Sequence, residues 1–202
     1  MKVFFDIGAN DGTDSIAYAR ANPDALVYAF EPSPYLVEVI KKHSSNLQNY
    51  TIIQAAVSDY NGSSTFNICK DKQGLGSLLD WGKDAKKLWA RFNLTFHEQI
   101  EVNVIKLETF IEENNITNIT YFHCDTQGND LRVLHGLGKY IDLIQEGQVE
   151  TTLLESSLYE GQNTTKDTIR FLISKNFEIL KHKKQVHFEE CNIMFKKFNF
   201  TL

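Results

Sequence analysis

The stretch that most constrains this chain is Phe4-Phe5-Asp6-Ile7-Gly8-Ala9-Asn10-Asp11-Gly12-Thr13, close to the N-terminus. Val3, Phe4 and Phe5 form an apolar run ending at an acid, two glycines follow, and a helical pattern starts at about Ser15. A buried strand, a Gly-rich turn and a helix together place main-chain N–H groups and a helix N-terminus around a ligand. The turn predicts a small-molecule site. Which molecule it takes depends on what the rest of the chain brings to the same end of the sheet.

Strand and helix signals alternate along most of the 202 residues, which predicts an α/β fold with a mainly parallel sheet. Strands are expected at 26–30, 51–57, 65–68, 99–105, 120–124 and 148–154, with helices at 15–21, 35–43, 107–114, 130–137 and 165–174. Ser58-Asp59-Tyr60-Asn61-Gly62 reads as a hairpin turn. Two closing strands, 177–180 and 191–195, are expected to be joined by the charged tip Lys181-His182-Lys183-Lys184, placing one antiparallel strand in the sheet. The segment 69–97 breaks the rhythm with Trp81, Trp89 and a helical stretch at 83–92. It is either a lid over the site or an insertion whose tryptophans complete the core.

The net charge of −5 argues against a nucleic-acid partner, because phosphate contacts need clustered Lys and Arg. No apolar run approaches membrane-spanning length, and no secretory pattern precedes the first strand. Three widely spaced cysteines suit a reduced compartment, so a cytoplasmic location is expected.

In open α/β sheets, ligands bind beyond the carboxyl ends of the strands. The groups expected there are Asp6 with the glycine turn, Glu31, the 56–59 corner, Asp125 with Gln127, and Glu150. A carboxylate at the end of the second strand is suited to both hydroxyls of a ribose. Nicotinamide, flavin and S-adenosylmethionine sites share that pairing. Two features favour S-adenosylmethionine: the turn lacks the third glycine of Gly-x-Gly-x-x-Gly, and Asp6, Asp11 and Asp14 flank it. Those acids repel a pyrophosphate and attract a cofactor bearing an ammonium and a sulfonium.

With these residues in place, the chain resembles the FkbM-type family of S-adenosylmethionine-dependent methyltransferases, a branch of the class I methyltransferase fold. The matching stretches run Phe5-Asp6-Ile7-Gly8-Ala9-Asn10-Asp11-Gly12, then Tyr28-Ala29-Phe30-Glu31-Pro32-Ser33-Pro34, then Ala56-Val57-Ser58-Asp59. Gly74-Leu75-Gly76-Ser77-Leu78, Leu107-Glu108-Thr109-Phe110, Asp125-Thr126-Gln127-Gly128-Asn129-Asp130 and Val133-Leu134-His135-Gly136 follow in the family's order. The resemblance implies a Rossmann-like three-layer sandwich in which Asp6, Gly8 and Asn10 shape the pocket for the methionine end of the cofactor. It also implies that Thr13 and Ser15 hold the carboxylate, Glu31 the ribose, and the Ala56 to Ser58 corner the adenine. Asp125 would lie by the transferable methyl group.

The substrate class that the resemblance implies is a sugar hydroxyl of a glycan or glycoside. An alcohol is a poor nucleophile until its proton is leaving, so a base is needed. Asp125 is the first choice and Glu150 the second. His123, where the family usually has Lys, lies two residues before Asp125 and offers a His–Asp pair or a buried strand residue on a main-chain carbonyl. Gln127 stands where the family commonly has Glu, which weakens a divalent-metal site built from Asp125 and Glu150. Tyr159, near Glu155 and Glu160, reads first as a surface-loop residue, with a place in the acceptor pocket as the alternative. Competing readings are a nicotinamide-dependent oxidoreductase and a non-catalytic cofactor-binding module. Because the first strand starts at about Lys2, residues 1–202 are expected to be one methyltransferase domain, either minimal or cut from a longer polypeptide. Fusion to, or partnership with, glycosyltransferases would suit a glycan-modifying role.

Overall fold

A computed structural model describes residues 1–88, 95–153, 158–184 and 190–198. Trp89, the far part of the expected 83–92 helix, Glu155 and His187 lie outside the described residues. The chain opens with β1 (Lys2–Ile7), α1 (Thr13–Ala21), β2 (Ala25–Phe30), α2 (Pro34–Ser44) and β3 (Tyr50–Ile53). Then come β4 (Ala56–Ser58), β5 (Gly62–Ile68), the single-turn α3 (Ala85–Leu88), β6 (Glu98–Lys106) and α4 (Leu107–Glu113). It closes with β7 (Ile119–Cys124), α5 (Asp130–Gly136), β8 (Ile144–Thr152), α6 (Thr165–Ser174), β9 (Phe177–Lys184) and β10 (Glu190–Lys197).

Seven strands form the main sheet in the order β3-β2-β1-β7-β8-β10-β9. β3, β2, β1, β7 and β8 run parallel, and β10 alone runs antiparallel to its neighbours. The expected α/β class, mainly parallel sheet and antiparallel closing hairpin are therefore what is found. β1 is buried along five of its six residues, the continuous apolar run of a strand covered on both faces. Phe5, Ile7, Phe30, Phe122 and Val149 from neighbouring strands meet Leu107, Ile111, Val133 and Leu134 of α4 and α5 in the principal core. On the other face Ile16 of α1 and Ile40 of α2 pack on Ala29. Ser33 and Pro34 open α2, with proline at the helical start where its missing N–H costs nothing. Thr164 and Asp167 close a reciprocal capping box on α6.

Three expectations are corrected. The single strand expected at 51–57 is two strands: β3 pairs with β2, whereas β4 pairs with β6 in a separate three-stranded sheet, β4-β6-β5. The 58–62 turn does not close a hairpin, since β5 pairs antiparallel with β6 and not with β4. On β4, the Val57 carbonyl accepts from Asn129 Nδ2 at 2.8 Å. The Lys181-His182-Lys183-Lys184 cluster is not a tip: it is the end of β9, paired with Cys191–Met194. Lysines on an exposed edge strand discourage pairing with another chain. Among the described residues, no helix is long and apolar enough to cross a membrane.

Candidate active site

The site lies where the strand order reverses, at the carboxyl ends of β1, β2 and β7. Two cavities meet there. The inner one, about 510 Å3 of open space, is lined by Gly8 and Asn10 after β1, Glu31 after β2, Ala56 and Val57 of β4, and Asp125 and Gln127 after β7. Phe66 of β5 and Leu78 add apolar walls. The outer cleft, about 1030 Å3 and more open to solvent, is lined by Asp11, Val39, Lys72, Glu150 and Glu190. Asn10, Leu36, Gly74, Asp125 and Gln127 line both.

Gly8 makes the junction sterically feasible. Its φ is +81°, and a Cβ there would stand 1.9 Å from the Asp125 carbonyl oxygen. That close approach lets Asp125 N–H donate to the Ile7 carbonyl at 2.9 Å, pinning the loop after β7 to the glycine turn. Asn10 also has positive φ, at 54°, which aims its main-chain N–H at Glu31 Oε2, 2.9 Å away. Ser33 N–H donates to Glu31 Oε1 at 2.8 Å. Burial nonetheless outweighs these two donors and pushes the Glu31 carboxyl up to about 8. A buried carboxyl so placed is ready to take further donors, such as a pair of vicinal hydroxyls.

Beyond β7 the loop is held by one amide. Gln127 Nε2 donates to Asp125 Oδ1 at 2.7 Å and to Glu150 Oε2 at 2.9 Å. Its Oε1 accepts from the Tyr159 hydroxyl at 2.6 Å. Burial, followed by the charges of Glu190, Glu150, Asp125 and Asp130, pushes the Tyr159 hydroxyl well up, so it stays protonated and donates. The amide orientation follows from that donation. Gln127 holds this position at φ +53°, and its main-chain carbonyl accepts from Ser77 Oγ at 2.7 Å. Burial, then Asp125 and Glu190, hold the Glu150 carboxyl well above the usual carboxylate range. Asp130 accepts from Thr126 N–H, Thr126 Oγ1 and Cys124 Sγ. Burial and Asp125 still push it up to about 6.

The structure brings Gly8, Asn10, Glu31, Ala56, Asp125 and Glu150 to the cavities. It places the other expected site residues elsewhere. Ser15 is fully buried, and its hydroxyl bonds the Tyr50 hydroxyl at 2.9 Å and the Gly12 carbonyl at 3.5 Å, lining neither cavity. Thr13 is exposed and lines neither cavity, with its N–H bound to Asp11 Oδ1. Ser58 is sealed behind the wall that Ala56 and Val57 form. Asp6 is buried behind the turn and bonds His123 Nδ1 at 2.8 Å. The His–Asp pair therefore exists with Asp6, not Asp125, because β1 and β7 are neighbours in register at those two residues. Burial lowers the His123 pKa, but the bond and charge of Asp6, with Asp125 and Asp14, raise it overall. The two carboxyl groups expected to hold a divalent ion, Asp125 and Glu150, are brought together and share the Gln127 Nε2 donor. Among the described residues, no cluster of three or more His, Cys, Asp or Glu is set to hold a metal.

Glu190 and the hydroxyl of Ser77 were not legible as site groups, and Tyr159 read first as a surface-loop residue with the acceptor pocket as its alternative. Tyr159 is fully buried rather than on a loop surface. It stacks on Trp81 with centroids 5.1 Å apart, and Trp81 stacks on Phe96 at 4.4 Å. In the described part of 69–97, Gly74, Gly76 and Leu78 line the inner cavity, while Trp81 packs against a small cluster of Ala85, Leu158 and Tyr159.

The family described as Methyltransferase FkbM domain matches residues 6–179. A curated relative, the 2-O-methyltransferase NoeI of Sinorhizobium fredii (strain NBRC 101917 / NGR234), is 27% identical over 170 residues, covering 79% of this chain and 66% of that protein. M. capricolum TrmK, solved with S-adenosyl-homocysteine, superposes with a TM-score of 0.53 at 13% identity, over 100% of this chain and 65% of that one. Aeropyrum pernix fibrillarin, solved with natively bound S-adenosyl-L-methionine, gives 0.52 at 9% identity, over 96% and 65%. The chain thus spans just under two thirds of the length of these three proteins, and the two solved structures show the shared fold alone. With the family's match reaching from Asp6 to β9 across both cavities, the chain belongs to the FkbM methyltransferase domain family.

Proposed function

We propose that the chain transfers the methyl group of S-adenosylmethionine to a hydroxyl, and that the acceptor is a sugar hydroxyl of a glycan or glycoside. The observation that carries this reading is the junction itself: a cavity walled by the buried Glu31 carboxyl opens at Asp125 and Gln127 into an acidic cleft. In it Glu31 accepts the two ribose hydroxyls, and Ala56, Val57, Phe66 and Leu78 face the adenine. Gly8 and Asn10 wall the methionine end, and Gly74 and Gly76 cover it, making segment 69–97 a lid within one methyltransferase domain of residues 1–202. When bound, S-adenosylmethionine supplies an electrophilic methyl group on a positively charged sulfur. Asp125 and Gln127 orient the acceptor oxygen at the junction, and the neighbouring carboxylates favour the positive charge there. The 2-O-methyltransferase name of the curated relative supports an oxygen acceptor. The absent third glycine and the acids Asp11 and Asp125 disfavour a dinucleotide pyrophosphate.

Calorimetry with S-adenosylhomocysteine against NAD tests the cofactor: binding of the first and not the second is expected, and the reverse overturns the reading. A labelled-methyl assay over a panel of sugars and glycosides tests the reaction. Cofactor binding with no transfer to any hydroxyl would favour a non-catalytic module.

A further inference from the structure

Gln127 already loads one oxygen of Asp125 and one of Glu150 with an amide N–H. Those two oxygens are already engaged and are not open to a hydroxyl on the ligand. Glu190 stands differently. As the first residue of β10 it pairs with Thr152, while Glu150 lies opposite Asn192. Cross-strand partners, and residues two apart along a strand, share one face of a sheet. Glu190 and Glu150 are therefore diagonal neighbours on the face that lines the outer cleft. The Glu190 residue is only 5% exposed, yet among the described residues its carboxylate holds no hydrogen bond. A buried carboxylate without a donor, aimed into a cleft, points to a donor on the ligand.

Resting on the hydroxyl-acceptor reading above, we propose that Glu190 is the general base that takes the proton of the acceptor hydroxyl. The acceptor oxygen forms its bond to the methyl carbon as the carbon–sulfur bond breaks, and that electron pair stays on sulfur. The hydroxyl proton passes to the Glu190 carboxylate and leaves to solvent through the open cleft. Charge balances, since the positive charge brought in on sulfur departs as the proton. Burial, then the charges of Asp125 and Asp130, push the Glu190 carboxyl up to about 8, near the pH at which a base is most effective. Glu150 beside it, Tyr159 behind Gln127, and Asp11 and Lys72 on the cleft wall are the other titratable groups that face this space. The positive sulfur of a bound donor adds an opposite charge and moves the titration below that value.

The test uses the full chain with Glu190→Gln and Glu190→Asp. Glu190→Gln is expected to bind S-adenosylhomocysteine as wild type does, and to lose about 10²- to 10⁴-fold in kcat with its acid limb in the pH–rate profile abolished. Without any ligand, wild-type stability should fall as pH rises from the unfolded carboxylate range through about 8, and Glu190→Gln should fall less steeply. Glu190→Asp keeps the charge but withdraws it by one methylene, and should retain the limb at a reduced rate. It serves also if the glutamine variant fails to fold. Wild-type kcat in Glu190→Gln or Glu190→Asp, or an unaltered acid limb in Glu190→Gln, would overturn the proposal while leaving the methyltransferase reading standing. Failure of the wild type to bind S-adenosylhomocysteine would instead remove the reading on which the proposal depends.

Discussion

Tyr159→Phe isolates the single bond that sets the Gln127 amide. The ring keeps its stack on Trp81, 5.1 Å away, and its contact with Gly128, where an added Cβ would meet the Tyr159 Cβ at 2.9 Å. Only the hydroxyl is lost, and with it the 2.6 Å bond to Gln127 Oε1. That oxygen is then buried without a donor, a penalty of about 1–3 kcal/mol. For a domain of this size each kcal/mol moves Tm by roughly 2–4 °C, so a drop of about 2–12 °C is expected. The amide then keeps only its two donations to Asp125 and Glu150 and is less firmly fixed, and methyl transfer should fall with it. Thermal unfolding with a double-mutant cycle between Tyr159→Phe and Gln127→Ala measures the bond, with a coupling of about 0.5–3 kcal/mol expected for such a contacting pair. An unchanged Tm together with zero coupling would refute the argument that this hydroxyl orients the amide.

Two further perturbations address the inner cavity. Glu31→Gln replaces one acceptor oxygen of the carboxyl with an NH2 donor and should weaken S-adenosylhomocysteine binding by about 10- to 100-fold in calorimetry. Its carboxyl is raised to about 8 in the fold, so wild-type stability from this group is complete below the unfolded value and is lost as pH climbs through about 8. Denaturation of the glutamine variant should show a shallower decline over that window. Gly8→Ala must relieve a 1.9 Å contact with the Asp125 carbonyl at φ +81°, and a destabilisation of at least about 2 kcal/mol is expected in urea unfolding. Wild-type stability for that variant would show that the turn has room that the backbone does not leave.

The sequence made the fold and the inner cavity legible because their signals are local. Continuous apolar runs mark β1, β2 and β7, the glycine turn marks the first crossover, and Glu31 sits where a strand must end. What it missed depends on pairing between distant residues. The 51–57 run looked like one strand because nothing local shows that its first part pairs with β2 and its last part with β6 in another sheet. His123 and Asp125 share spacing along one strand, yet His123 meets Asp6 because β1 lies alongside. Ser15 looked available at a helix start, and Tyr50 from β3 takes its hydroxyl. Glu190 precedes Cys191 in what read as the end of a charged loop. Its role emerges only from the antiparallel register that sets it beside Glu150.

The amide at position 127 is best understood as charge relief. Asp125, Asp130, Glu150 and Glu190 already press on one another, and a fifth carboxylate between the first and third would be repelled by both. Gln127 instead donates to those two and adds no charge. A neutral amide works only if its two ends are told apart, and the Tyr159 hydroxyl does that. Tyr159 is in turn held by the insertion, through Gly82 N–H on the Leu158 carbonyl at 2.7 Å and Glu160 N–H on the Asp80 carbonyl at 2.8 Å. Ser77, from the same insertion, bonds the Gln127 main chain. The segment whose Gly74, Gly76 and Leu78 line the inner cavity therefore also fixes the carboxylates of the outer one. A change in the insertion that leaves the sheet intact should alter cofactor affinity and acceptor chemistry together, because both are set by how it rests on Gln127 and Tyr159.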